Sequence, residues 1–182
     1  MNARKMLARV ICGTVGALLI PTYAEQPLEA TPALGVTAAV LNSAIVPEFD
    51  ARRRYRDTSE GPQEDRKVWK IELEATRMIE VWTVQFTVQP GGHSGWHTHP
   101  GPAVFTVSEG TLTMYEGDDP SCMPLVFPAG TGSLEADTAA HHHLLRNETT
   151  SVARTIVTFL VPVGTGLAGL RTDLPDPGNC PF

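Results

Sequence analysis

Residues 91–102 of this chain read GGHSGWHTHPGP, from Gly91 to Pro102. If the segment is extended, His97 and His99 lie on the same face, with Cα atoms roughly 6.6–6.8 Å apart. At that spacing two imidazoles can bind one ion, as residues i and i+4 can on a helix. The glycines before the pair and the prolines after it indicate a short strand bounded by turns. The pattern therefore predicts a metal site built on this strand.

The six histidines of the chain fall into two clusters. One consists of His93, His97 and His99, and the other is the consecutive run His141–His143. Such residues can also be surface or turn histidines without a ligand. The clustering favours a single site to which two distant segments contribute.

Residues 1–24 are typical of a secretory signal peptide. Three basic residues, Arg4, Lys5 and Arg9, precede an apolar stretch from residue 10 to 20. Small residues before position 25 mark a cleavage site. The apolar stretch is short for a membrane span, so a retained anchor is the weaker interpretation. We expect a periplasmic or secreted protein whose mature chain begins at Glu25.

The net charge of the mature chain disfavours two classes of partner. Cleavage removes 3 of 14 basic residues and no acidic ones, which leaves 11 against 20 and a net charge of −9. An acidic chain is poorly suited to nucleic acid or to an anionic membrane. We therefore expect a small-molecule ligand, no nucleic acid, and no membrane association after signal cleavage, while a homodimer is left open.

Cys12 lies in the signal peptide, so the mature chain keeps two cysteines, Cys122 and Cys180. In an oxidising compartment, two cysteines most simply form one disulfide. Two free thiols or a metal-binding pair are the alternatives. No further cysteine is present to complete a thiolate site.

From residue 68 onward the sequence alternates apolar and polar side chains with the period of a half-buried strand. Short strands separated by Gly/Pro turns, without a long helical period, predict an antiparallel β-sandwich or barrel. We expect a β-barrel domain over residues 68–182 and an N-terminal extension over residues 25–67. Within the extension, residues 36–46 fit a first strand or a short helix, and Arg52–Arg54 fit a solvated loop.

The motifs resemble those of the cupin superfamily, whose members are jelly-roll β-barrels with a metal in the barrel mouth. The first cupin motif is matched by Gly91, His97, His99 and Gly110. The second is matched by Pro128-Ala129-Gly130, then by His143 and Asn147 after a longer stretch. Further segments resemble small secreted bacterial single-domain cupins: GWHTHPGP from Gly95, DDPSC from Asp118 and PGNCPF from Pro177.

One position departs from the cupin motif. Ala103 stands where the motif carries its Glu ligand. The resemblance therefore implies a site of three histidines, His97, His99 and His143. His141 is a tentative fourth ligand, with a role at the rim as the alternative. His142 should point to the opposite face, and His93 more often would only line the mouth.

Neutral imidazoles suit Zn, Cu, Fe or Ni, and we include Mn among the candidate divalent cofactors. The lack of a carboxylate ligand argues against a manganese-dependent oxalate enzyme. Two functions remain: a metal-dependent, dioxygenase-like oxidoreductase acting on a small anionic molecule, or a non-catalytic protein that binds metal or a small ligand. Asn147 could orient a histidine. Four carboxylates could act as acid or base, although surface charge is the better interpretation for each: Glu80, Glu109, Glu135 and Asp137.

Overall fold

The structure is a computed structural model, and it describes residues 29–56, 68–136 and 142–182. Its strands, in chain order, are β1 (Leu34–Val46), β2 (Phe49–Arg56), β3 (Val68–Ala75), β4 (Ile79–His93), β5 (His97–Thr98), β6 (Ala103–Glu109), β7 (Thr111–Glu116), β8 (Leu125–Pro128), β9 (Gly132–Glu135), β10 (His143–Arg146), β11 (Ala153–Pro162) and β12 (Thr172–Asp173). A 3-10 turn, Leu167–Gly169, lies between β11 and β12.

Ten of these strands form one antiparallel sheet that curls into a nearly closed barrel, as expected for a jelly-roll. Along its main path the strands are ordered β12-β5-β10-β4-β11-β6-β9. β1 pairs with β4, and β7 lies between β10 and β8. The remaining two strands, β2 and β3, pair only with each other. Among the described residues, no helix is long and apolar enough to cross a membrane.

The core lies inside the barrel because alternate side chains of its strands point inward. In β6, Ala103, Phe105 and Val107 are buried while their neighbours are exposed. In β11 the buried positions are also every second residue, from Ala153 to Val161. Burial of these apolar side chains is the main force that holds the two faces of the barrel together.

The N-terminal extension is extended along most of its described length. Residues 36–46, for which the sequence allowed a strand or a helix, belong to β1 and pair with β4. The interpretation of Arg52–Arg54 as a loop was wrong, because all three lie in β2. Their side chains are exposed to solvent. Charged side chains are common on strands that lie at the edge of a sheet, as β2 does in its pair with β3. The domain division at residue 67 stays a prediction.

Candidate metal centre

His97, His99 and His143 converge inside the barrel. One nitrogen from each imidazole lies within 4.8 Å of the other two. His97 and His143 are direct cross-strand neighbours in β5 and β10, and their ring centroids are 4.5 Å apart. The rings of His97 and His99 are 4.8 Å apart, as the two-residue spacing predicts. The three side chains are almost entirely removed from solvent.

Backbone carbonyls orient two of these rings. Nδ1 of His97 lies 2.9 Å from the carbonyl oxygen of Gly95, and Nδ1 of His99 lies 2.7 Å from that of Leu170. A carbonyl oxygen only accepts hydrogen bonds, so in each ring Nδ1 carries the proton. In the neutral ring, Nε2 then presents a lone pair toward the cluster, which is the form that binds a metal.

The electrostatic environment favours neutral His97. Burial in the apolar interior holds the pKa of His97 well below its ordinary value, and the neighbouring His143, His99 and Arg171 lower it further. The hydrogen bond to Gly95 raises this pKa by a smaller amount. A histidine with a lowered pKa stays unprotonated at neutral pH and keeps its ligand lone pair.

Glu135 lies beside the histidine cluster. Its Oε2 is 3.3 Å from Nε2 of His99, and its Oε1 is 3.4 Å from Nε2 of His143. Only 5% of its side chain is exposed, so the interpretation of Glu135 as surface charge was wrong. The residue ends β9, and pairing with β6 carries the carboxylate into the barrel instead of to its surface.

The donor set fits a divalent transition metal. Two ligand atoms, each 2.0–2.1 Å from one ion in a tetrahedral arrangement, lie roughly 3.3–3.4 Å apart. The two distances from Glu135 to the imidazoles match this separation. In addition, Nε2 of His99 faces a carboxylate oxygen of Glu135, so both atoms are placed to bind the same ion. Imidazole nitrogens with a carboxylate suit Zn, Fe, Cu, Ni and Mn.

The other predicted site residues lie away from the cluster or outside the described residues. His142 points away from it, as predicted, and its ring packs edge-on against Trp96. His93 is partly exposed at the end of β4, where burial and Arg146 lower its pKa. His141 and Asp137, the remaining candidates of that region, lie outside the described residues.

Asn147 does not orient a histidine in this structure. Its side chain is fully buried, and its amide nitrogen donates to the carbonyls of Val88 and Ser151. Its side-chain oxygen accepts hydrogen bonds from the backbone and the hydroxyl of Thr149. The motif asparagine therefore stabilises the connection between β10 and β11. The prediction that Asn147 could orient a histidine was wrong.

Glu80 and Glu109 do not line the histidine cavity. Glu80 accepts hydrogen bonds from Trp82, Gly164 and Gly166. These three hydrogen bonds lower the pKa of Glu80, and the one from Trp82 has the largest effect. Glu109 is exposed and pairs with Arg154. Both are surface carboxylates with structural partners, which agrees with the interpretation of each as surface charge.

Cys122 and Cys180 are brought together by the fold. Their sulfur atoms lie at bonding distance and their Cα atoms are 5.3 Å apart, within the range that a disulfide requires. Cys180 packs with Trp96, Tyr115 and Leu144 in a second small core. The C-terminal tail is thereby attached next to the strand that carries His97.

A cavity of about 300 Å³ opens beside the histidines. Most of its wall is apolar and comes from both faces of the barrel, including Val36, Phe86, Phe105, Leu112, Val157 and Phe159. The polar residues of its lining are Ser94, His97, His99, Glu135, Thr155 and Arg171. The Nε atom of Arg171 donates to Asp173 at 2.6 Å, which fixes the guanidinium near the cluster. The sequence did not indicate Arg171, because only the packing of the turn before β12 brings it to the cavity.

The fold and the site place this protein among small antiparallel β-barrels with three inward-facing histidines, a donor set that can bind a metal ion. Residues 84–159 match the family model described as "Cupin domain", a segment that includes all three histidines. This match supports the assignment of the barrel to the cupin superfamily. No curated protein matches it.

This chain is similar to several solved structures, among them the following three. An oxalate oxidase in complex with glycolate has a TM-score of 0.38 and 22% identity, over 43% of this chain and 41% of that one. A predicted oxalate decarboxylase from Thermotoga maritima has a TM-score of 0.37 and 13% identity, over 46% and 81%. A double-stranded β-helix protein from Klebsiella pneumoniae has a TM-score of 0.40 and 18% identity, over 51% and 73%. This chain therefore spans less than half of the oxalate oxidase.

Proposed function

We propose that this protein binds one divalent transition metal through His97, His99 and His143 and acts as an oxidative enzyme on a small anionic molecule. The observation that carries the proposal is the convergence of three buried imidazoles, two of which, His97 and His99, line a largely apolar cavity. When bound, such an ion supplies a Lewis acid, or a redox centre if it is iron or copper. The histidines hold it, and the apolar walls keep bulk water away.

The cavity supports a ligand with an anionic head and an apolar body. Arg171 and His97 line the same cavity, and the guanidinium adds positive charge where the head would sit. The wall beyond is formed by aliphatic and aromatic side chains, so a ligand gains free energy by burying apolar surface there. A fully polar dianion such as oxalate would leave this wall unused.

A second function, non-catalytic binding of the same kind of ligand, is favoured by one observation. Among the described residues that line the cavity, Glu135 is the only carboxylate, and lysine, cysteine and tyrosine are absent. An enzyme built on this cavity would therefore depend on the metal for its chemistry.

The experiment that distinguishes the two functions measures oxygen consumption by Fe²⁺-loaded protein in the presence of phenylpyruvate, a chelating 2-oxo acid with an apolar body. Oxygen consumption would support the oxidative enzyme. Tight binding of phenylpyruvate without oxygen consumption would support the non-catalytic binding protein.

Replacing Arg171 by methionine is expected to weaken phenylpyruvate binding to metal-loaded protein by about tenfold. Hydrogen bonds to charged groups contribute about 1.5–3 kcal/mol, and we take the low end because the side chain is partly exposed. Metal affinity should stay unchanged. Calorimetric titration provides the measurement, and Arg154→Met, at an exposed arginine on β11, is the control. Equal binding by the Arg171 variant and the wild type would contradict a role in holding the anion.

We further propose that residues 1–24 are a signal peptide and that the protein is periplasmic or secreted. The support is the basic start, the apolar stretch and the small residues before position 25. This segment lies outside the described residues. Mass analysis of exported protein is expected to find Glu25 at the N-terminus. An exported chain that retains Met1 would refute the proposal.

A further inference from the structure

We infer that Glu135 is the fourth metal ligand of this chain and supplies the carboxylate that the cupin motif would place at Ala103. The ligand position has moved from β6 to the residue directly opposite it on β9. This inference rests on the proposed three-histidine metal site, and it adds a residue to that site which the sequence pattern did not assign.

The strand register carries the first step. Ala103 and Glu135 are direct partners in the antiparallel pair of β6 and β9. Such partners point to the same side of the sheet, with Cβ atoms about 4.5–5.5 Å apart. Ala103 is completely buried, so Glu135 also projects into the barrel. The small side chain at 103 leaves room for a longer one from β9 to reach the same point.

The contacts of the carboxylate carry the second step. One oxygen approaches His99 and the other approaches His143, at nearly equal distances of 3.3 and 3.4 Å. Both described ion-pair contacts of Glu135 are thus to the predicted ligands. A carboxylate this deeply buried costs several kcal/mol unless a cation compensates it. A shared metal ion would satisfy the carboxylate and the imidazoles at once.

The tautomer of His99 carries the third step. Its Nδ1 donates a hydrogen bond to the carbonyl of Leu170 at 2.7 Å, so Nε2 is the ring nitrogen left to bind a metal. Nε2 faces Oε2 of Glu135 at 3.3 Å. That distance is the separation expected for two ligands of one ion, so a metal could be bound by both atoms.

A fourth ligand of this kind changes the chemistry of the site. The carboxylate cancels one unit of the ion's charge, so a divalent ion with its ligands carries +1 instead of +2. Oxygen ligands also favour harder ions, and Mn²⁺ then becomes a suitable occupant. The argument against manganese, which depended on the missing carboxylate at position 103, does not hold for this donor set.

The test measures metal affinity directly, by competition for Mn²⁺ and Zn²⁺ against a chromophoric chelator. Glu135→Gln keeps the shape of the side chain and removes its charge, and we expect it to lower Mn²⁺ affinity at least tenfold, with a smaller loss for Zn²⁺. Glu109→Gln is the matched control, because Glu109 is an exposed carboxylate on β6 outside the cavity. It should bind both ions as the wild type does.

A double variant returns the carboxylate to the motif position. Ala103→Glu combined with Glu135→Ala is expected to recover Mn²⁺ affinity to within about threefold of the wild type, because paired positions reach the same point. Glu135→Ala alone should show the full loss, so recovery is measured against it. The double variant also decides the question if Glu135→Gln does not fold.

The outcomes separate this inference from the proposed function. If Glu135→Gln keeps wild-type Mn²⁺ affinity while His143→Ala loses it, the three-histidine site stands and Glu135 is not a ligand. If the double variant binds no better than Glu135→Ala, the exchange of positions between β6 and β9 is wrong. If the wild type itself binds neither ion, the proposed metal site and this inference both fail.

Discussion

Replacing His143 by alanine is expected to lower the affinity for divalent metal by at least about 100-fold. Changes in residues that only support a ligand cost 10–100-fold, and loss of the ligand itself costs more. His143 is 1% exposed, and its ring lies 4.5 Å from that of His97. Among the described residues, these two and His99 form the only group of three that could hold a metal. Equilibrium dialysis followed by elemental analysis measures the loss.

His142→Ala is the matched control for this prediction. The two histidines are adjacent in sequence, but His142 packs against Trp96 and does not join the cluster. The control should therefore keep wild-type metal content, and circular dichroism should show that both variants are folded. A loss in His142→Ala as large as that in His143→Ala would mean that the face of β10 assigned to the site is wrong.

The second large effect is expected from replacing Cys122 and Cys180 by alanine. A disulfide between them closes a loop across 58 positions, and in the loop-entropy description it contributes about 4 kcal/mol to the free energy of unfolding. For a domain of this size, that corresponds to a melting temperature lower by about 8–16 °C. Thermal unfolding of the oxidised wild type and the double variant measures the difference.

Two observations control the interpretation of this experiment. Met123→Ala, next to the pair but exposed, should leave the melting temperature unchanged. Thiol labelling of unreduced mature protein should find no free cysteine. If two thiols are labelled, or if the double variant melts with the wild type, Cys122 and Cys180 are not bonded in the protein. Because Cys180 packs with Trp96, the variant should also loosen the segment beside His97.

Most of the barrel could be predicted because its signals are local. β4, β6 and β11 alternate apolar and polar residues, and that alternation directly reports a half-buried strand. The separation of His97 from His99 set them on one face for the same reason. By contrast, Arg52–Arg54 were predicted to lie in a loop although they belong to β2. A strand with charged residues on both faces lacks the alternation of apolar and polar residues on which the prediction of a strand depends.

The fourth position of the site could not be predicted from any local pattern. Glu135 is 32 residues from Ala103, and only the register between β6 and β9 makes the two equivalent. In sequence, an acidic residue at the end of a short strand is most often exposed, and Glu135 has no feature that distinguishes it from Glu109. The only sequence signal is that Glu135 is acidic. Its pairing with Ala103 becomes apparent only once the register between β6 and β9 is known.

The sequence by itself determined the all-β class and the face that His97 and His99 share, because both follow from periodicities and spacings within a few residues. It also contained the motifs, from Gly91 to Phe182, on which the cupin resemblance rests. Only the tertiary structure decided which carboxylate meets the histidines, which carbonyls orient their rings and where Arg171 lies. These depend on pairings between strands distant in sequence. A shift of one residue in such a pairing would turn Glu135 outward, and local sequence contains no information about that register.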